Sequence, residues 1–82
     1  SSSILIDEQI ERRLAYYAGE LKIKSFTLKT SPILGAFLSR GFNSYLRKWK
    51  RKYKCKIRLE EVLDFSVLQN ELYDDLGGKL DK

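Results

Sequence analysis

The sequence predicts a small α+β domain: a two- or three-stranded sheet packed on one side by helices, in the order α-β-α-β-α with a long central helix. Three observations predict it. Apolar residues recur at helical spacing in three segments, two short segments between them alternate apolar and polar, and Thr30-Ser31-Pro32 marks one sharp boundary.

The first helix is set by Ile6, Ile10, Leu14 and Tyr17, with Leu21 prolonging the stripe and Ser3 or Asp7 as its cap. Glu8 and Arg12 are an i, i+4 pair of favourable order. Gly19 is the expected stop. The start carries a second reading, since Ile4-Leu5-Ile6 also suits a short buried strand. Residues 20–30 alternate like a strand, but the apolar parity slips between Ile23 and Phe26, so either a bulge near Lys24-Ser25 or a turn between two short strands is expected.

Ser31 followed by Pro32 reads as an N-cap and a first helical residue without an N–H to orphan. The helix it opens is expected to run from Pro32 to about Tyr53, with Gly35 and Gly41 either easing close packing or, at Gly41, dividing it. Lys54 to Leu59 alternates again, with Cys55, Ile57 and Leu59 inward. Val62, Phe65, Leu68, Leu72 and Leu76 trace a last helix that Gly77-Gly78 ends, with Ser66 and Gln69 as a capping box. Strand, crossover and returning strand make a right-handed parallel pair, and so small a sheet leaves an edge open. The whole of residues 1–82 is expected to be one domain from a longer protein, with Ser1-Ser2-Ser3 an appended leader and residues 79–82 a frayed tail.

Composition removes several chemistries. With no histidine, no methionine and a single cysteine, Cys55, the chain lacks the ligands of ordinary zinc and iron–sulfur sites, and no metal or cofactor is expected. The commonest general acid–base is missing, no glycine-rich phosphate loop is present, and no enzyme activity or small-molecule substrate is expected. No stretch approaches the apolar length of a membrane span. The absence of a disulfide favours an intracellular, cytoplasmic setting. Cys55 between Lys54 and Lys56 has the neighbours of a reactive thiolate, but its alternation with Ile57 favours plain burial.

The net charge of +5 conceals a segregation: residues 21–59 hold twelve bases and no acid, while residues 60–82 hold seven acids and two bases. Asymmetry of this size points to an interaction surface. On a continuous helix from Pro32, Arg40, Arg47, Lys50, Arg51 and Lys54 fall within about 60° of one direction, opposite Leu38, Phe42, Tyr45, Trp49 and Tyr53. Lys48 lies on one flank, and Lys56 and Arg58 extend the patch onto the following strand, where Lys22 and Lys24 join if the strands are neighbours. Phe37, Phe42, Trp49 and Tyr53 are assigned to the core, and Tyr16, off its stripe, is a candidate exposed ring. A solvated outer face complementing the helix dipole accounts for three or four bases, not for nine between Arg40 and Arg58.

The expected site is therefore a nucleic-acid surface made by Arg40, Arg47, Lys48, Lys50, Arg51, Lys54, Lys56 and Arg58, with RNA or backbone-directed DNA as partner. Two other classes stand beside it. One is an assembly domain in which this face meets an acidic protein surface, including Glu71, Asp74 and Asp75 of another copy, giving a homo-oligomer. The other is docking on an anionic membrane.

Overall fold

The computed structural model describes residues 5–80. Among them lie three helices, α1 (Ile6–Gly19), α2 (Pro32–Ser39) and α3 (Tyr45–Tyr53), and three strands, β1 (Ser25–Thr30), β2 (Lys56–Glu61) and β3 (Asn70–Asp74). The sheet is mixed, in the order β2-β1-β3, with β1 parallel to β2 and antiparallel to β3. The α+β class, the small sheet and the one-sided packing of helices agree with the sequence reading. Phe26, Leu28 and Thr30 alternate into the core from β1 and are joined by Ile57 and Leu72 from its neighbours. The opposite parity faces out. In register across the sheet it forms the rows Lys56–Ser25, Arg58–Thr27–Tyr73 and Glu60–Lys29–Glu71.

α1 buries Ile6, Ile10, Leu14 and Ala18. Tyr17 is half-buried and donates its hydroxyl to the Leu80 carbonyl at 2.5 Å. The expected caps are not used: Asp7 sits in the first turn, and Leu5 precedes the helix with no side-chain bond, while Ser3 lies outside the described residues. The helix ends at Gly19 as expected, but not in the left-handed region: Gly19 is its last residue, Glu20 is still right-handed, and the positive φ falls at Lys22 (61°). Leu21 is exposed rather than part of the stripe. The parity slip of residues 20–30 is neither a bulge nor a second strand. Residues 22–24 are an irregular link, and β1 starts only at Ser25.

Ser31 caps α2 as the sequence implies: its Oγ accepts from the Leu34 N–H at 3.1 Å and donates to the Val67 carbonyl. The single long helix is corrected to two. α2 stops at Ser39, Gly41 takes a left-handed φ of 80°, and Ser44 caps α3 by accepting from the Arg47 N–H at 3.2 Å. Gly35 provides close packing, since a Cβ there would lie 2.9 Å from Thr30 Oγ1 and 2.7 Å from Glu61 Oε2.

The last helix is overturned. Residues 62–69 turn, and residues 70–74 pair with β1 as an antiparallel strand. Of the apolar set read as a helical face, Leu72 alone is fully buried, whereas Leu68 is exposed and Leu76 is 92% exposed. A helix here would leave the second edge of the central strand without partners for its backbone groups, and β3 supplies them. Only the Gln69 half of the expected box forms, and within a turn: Gln69 Oε1 accepts from the Ser66 N–H at 3.0 Å, while the Gln69 N–H goes to the Ser66 main-chain carbonyl at 2.9 Å. Gly77, at φ 87°, and Gly78 then turn the chain back. Lys79 bridges to Tyr73, the Leu80 N–H bonds Leu72 O at 2.8 Å and Leu80 packs on the core, so these two residues are anchored rather than frayed. Residues 81–82 lie outside the description.

Candidate nucleic-acid interface

α3 owes its form to a sharp division of its surface. Leu46 and Trp49 are buried, Tyr45 and Tyr53 are half-buried, and Arg47, Lys48, Lys50, Arg51 and Lys52 are exposed. Lys54 ends the helix in the left-handed region (φ 52°), with its N–H on Lys50 O. That reversal feeds the chain into β2, whose Lys56 and Arg58 point away from the core.

All eight predicted basic residues are exposed. Seven of them run from α3 through Lys54 into the start of β2. Arg40 is placed differently: with the central helix broken it lies on the α2–α3 loop, two residues before Phe42, and not on the α3 face. Among the described residues, none of the eight has a carboxylate within 4 Å; the ion pairs present are Lys52–Glu11 and Lys79–Glu71. Lys52 is thereby withdrawn from the patch. Its ammonium and the Tyr53 hydroxyl both meet Glu11 Oε2, at 2.9 and 2.6 Å, tying α1 to α3. The Tyr53 hydrogen bond and then Lys52 hold the Glu11 carboxyl below the usual carboxylate range, while burial chiefly, then Glu11, pushes the Tyr53 phenol up.

Lys50, Lys56 and Arg58 line one concavity of about 440 Å³ with Ser25, Thr27, Cys55 and Asp75, and Lys50 shares a second depression with Arg47 and Arg51. Lys50 therefore joins the helix bases to the strand bases. Lys24 adds to them, since its carbonyl accepts from the Lys56 N–H at 2.8 Å. Complementing the helix dipole accounts for Lys50 and Arg51 in the last turn. It works against Arg47 and Lys48 near the first turn and has no bearing on Lys56 and Arg58. Cys55 is buried, as its alternation implies, and burial pushes its thiol up against the opposing pull of Lys24 and Lys50. Among the described residues no three acidic or thiol side chains gather as a metal ion would need, and no helix is long and apolar enough to cross a membrane.

The three predicted acids lie on β3 and its turn rather than on a helix. Glu71 accepts from the Tyr73 hydroxyl at 2.6 Å, which chiefly keeps its carboxyl low, and faces Lys79 at 3.5 Å. Asp74 Oδ1 accepts from the N–H groups of Leu76 and Gly78 at 3.0 and 2.8 Å. Asp75 alone of the three reaches the basic concavity. On the outer sheet face Lys29 stands between Glu60 and Glu71, a row with one more anion than cations, whereas Lys56 and Arg58 stand beside the neutral Ser25 and Thr27.

Two rings assigned to the core are not there. Phe42 is 87% exposed and Phe37 is exposed, while Trp49 is 3% exposed, Tyr53 is half-buried and Tyr16 is exposed as expected. A regular helix continued across Gly41 would place Phe42 inside, and the break at Gly41 turns it out. The Gly41-Phe42-Asn43-Ser44 cluster carries the turn composition that marks the break. An apolar cleft of about 500 Å³, lined by Ile33, Phe37, Tyr45, Val67 and Leu68 among others, opens beside this corner.

Comparison with protein-family models, with curated proteins and with solved structures gives no match.

Proposed function

We propose that the chain is a non-enzymatic nucleic-acid-binding domain that holds RNA, or the backbone of DNA, through the bases of α3 and the start of β2. The observation that carries this reading is a run of seven exposed cations from Arg47 to Arg58, Lys52 set aside, without carboxylate partners among the described residues. Unpaired, mutually repelling charges cost stability. Phosphates relieve that repulsion, and the release of their condensed counterions supplies affinity. Arg47, Arg51 and Arg58 add planar forks that grip phosphate oxygens in pairs.

Self-association through the acids gains less support. Two of the three carboxylates that would meet the basic face, Glu71 and Asp74, are already held by their own strand and turn.

The test is fluorescence anisotropy with mixed-sequence RNA and DNA across a salt series. Dissociation constants of about 1–100 µM at physiological salt are expected, with log K falling linearly against log salt by about 0.7 per single-strand phosphate contacted. Replacing Lys50, Arg51, Lys56 and Arg58 by glutamine should flatten that line. Binding weaker than about millimolar at low salt would end the proposal, and salt-sensitive self-association in sedimentation would favour the assembly reading instead.

A further inference from the structure

The corner between α2 and α3 carries a feature that charge alone does not explain. Gly41, left-handed and with nothing within 4 Å of where a Cβ would be, turns the chain into open space. The next residue, Phe42, holds an 87% exposed ring. The Arg47 guanidinium carbon lies 5.9 Å from that ring's centre. From the two helices that this corner joins, the Phe37 and Tyr45 rings meet in a tilted pair with centres 5.2 Å apart, and Lys48 Nζ stands 4.9 Å from the Tyr45 ring.

A lone exposed phenylalanine is ordinary. Here, rings alternate with cations that have no carboxylate partner among the described residues, at the end of the basic run. Ring and cation in alternation are what an unpaired nucleotide chain needs, because its bases offer π-faces and its backbone offers phosphates. A duplex, with its bases stacked internally, has no free base to place on Phe42.

We propose that Phe42 is a stacking platform for an unpaired base, and that the ligand of the basic surface is single-stranded RNA rather than duplex. Arg47, against the same ring, takes the adjoining phosphate. This rests on the nucleic-acid reading above and narrows it.

The experiment compares wild type, Phe42→Ala and Phe42→Trp for binding to a mixed-sequence single-stranded RNA and to an RNA duplex of equal length. Because Phe42 is solvent-exposed, both variants should melt with the wild type. Phe42→Ala should weaken single-strand binding about 5- to 140-fold, the stacking of one base converted at about 1.4 kcal/mol per tenfold, with the salt slope and duplex binding unchanged. Phe42→Trp should retain the affinity and show quenched indole fluorescence on binding, a signal separable from Trp49, which is buried. Unchanged single-strand binding by Phe42→Ala, or an equal loss on single strand and duplex, would overturn the stacking role and leave the broader nucleic-acid reading standing. Failure of the wild type to bind either RNA or the mixed-sequence DNA of the salt series would overturn both.

Discussion

Replacing Gly35 with alanine sets two terms against each other, and the structure decides between them. Alanine is the better helix former by about 1 kcal/mol. The new Cβ, however, would stand 2.7 Å from Glu61 Oε2, 3.0 Å from Glu61 Cγ and 2.9 Å from Thr30 Oγ1. Glu61 is exposed and can swing away, which removes the first two contacts. Thr30 cannot: it is 0% exposed, lies in the central strand and donates its hydroxyl to Ser31 O at 2.9 Å. Reaching ordinary contact with Thr30 requires α2 to lift by about half an ångström across a packed interface, and overpacking of this kind costs about 1–3 kcal/mol. The net is about 1 kcal/mol of destabilisation, a fall in melting temperature of about 4–8 °C for a chain of this size. Thermal unfolding by circular dichroism measures it. Adding Thr30→Ala to Gly35→Ala should recover more than adding Glu61→Ala does, relative to each single variant. A Gly35→Ala protein that melts at or above the wild type would refute the close seating of α2 on β1.

Three further outcomes follow from the site. Lys54→Gly relieves a left-handed backbone and should raise stability by about 1 kcal/mol in denaturant titration, while removing a cation and shortening the salt slope by about one phosphate. Asp75→Asn removes the carboxylate bordering the Lys50–Lys56–Arg58 concavity and should tighten RNA binding about two- to threefold at low salt in the same anisotropy assay. Glu11, whose carboxyl is held low in the folded chain, contributes stability that is present above the unfolded carboxyl pKa and lost as pH falls through the lower folded one. The melting difference between wild type and Glu11→Gln should therefore be present at pH 7, at about 0.5–1.5 kcal/mol, and shrink on acidification below about pH 4.

Local chemistry that admits one outcome was readable from the sequence. Ser31-Pro32 opens a helix because a hydroxyl acceptor and a missing N–H suit the first turn and little else. The first helix and β2 were readable for a related reason, since their apolar periods are long or flanked by clear breaks. The last segment was not. Val62, Phe65, Leu68, Leu72 and Leu76 match a helical period, yet β3 needs only Leu72 inward, and one buried residue leaves no period to detect. What decided it was remote in sequence: the unpaired edge of β1. The candidate surface was legible for its α3 and β2 members because exposure follows from their local alternation. Arg40 and Phe42 were misplaced for one shared reason, the extension of a regular helix through Gly41.

The direction of β2 has an electrical consequence. Because it runs alongside β1 in the same sense, its basic start lies next to Ser25 and its acidic end, Glu60 and Glu61, next to Lys29 and Thr30. The opposite sense would have set Glu60 and Glu61, not Lys56, beside Ser25. As built, the molecule is polarised from one end of its sheet to the other, and a passing polyanion exerts a torque on it as well as a pull. That torque fades as added salt shortens the reach of the field.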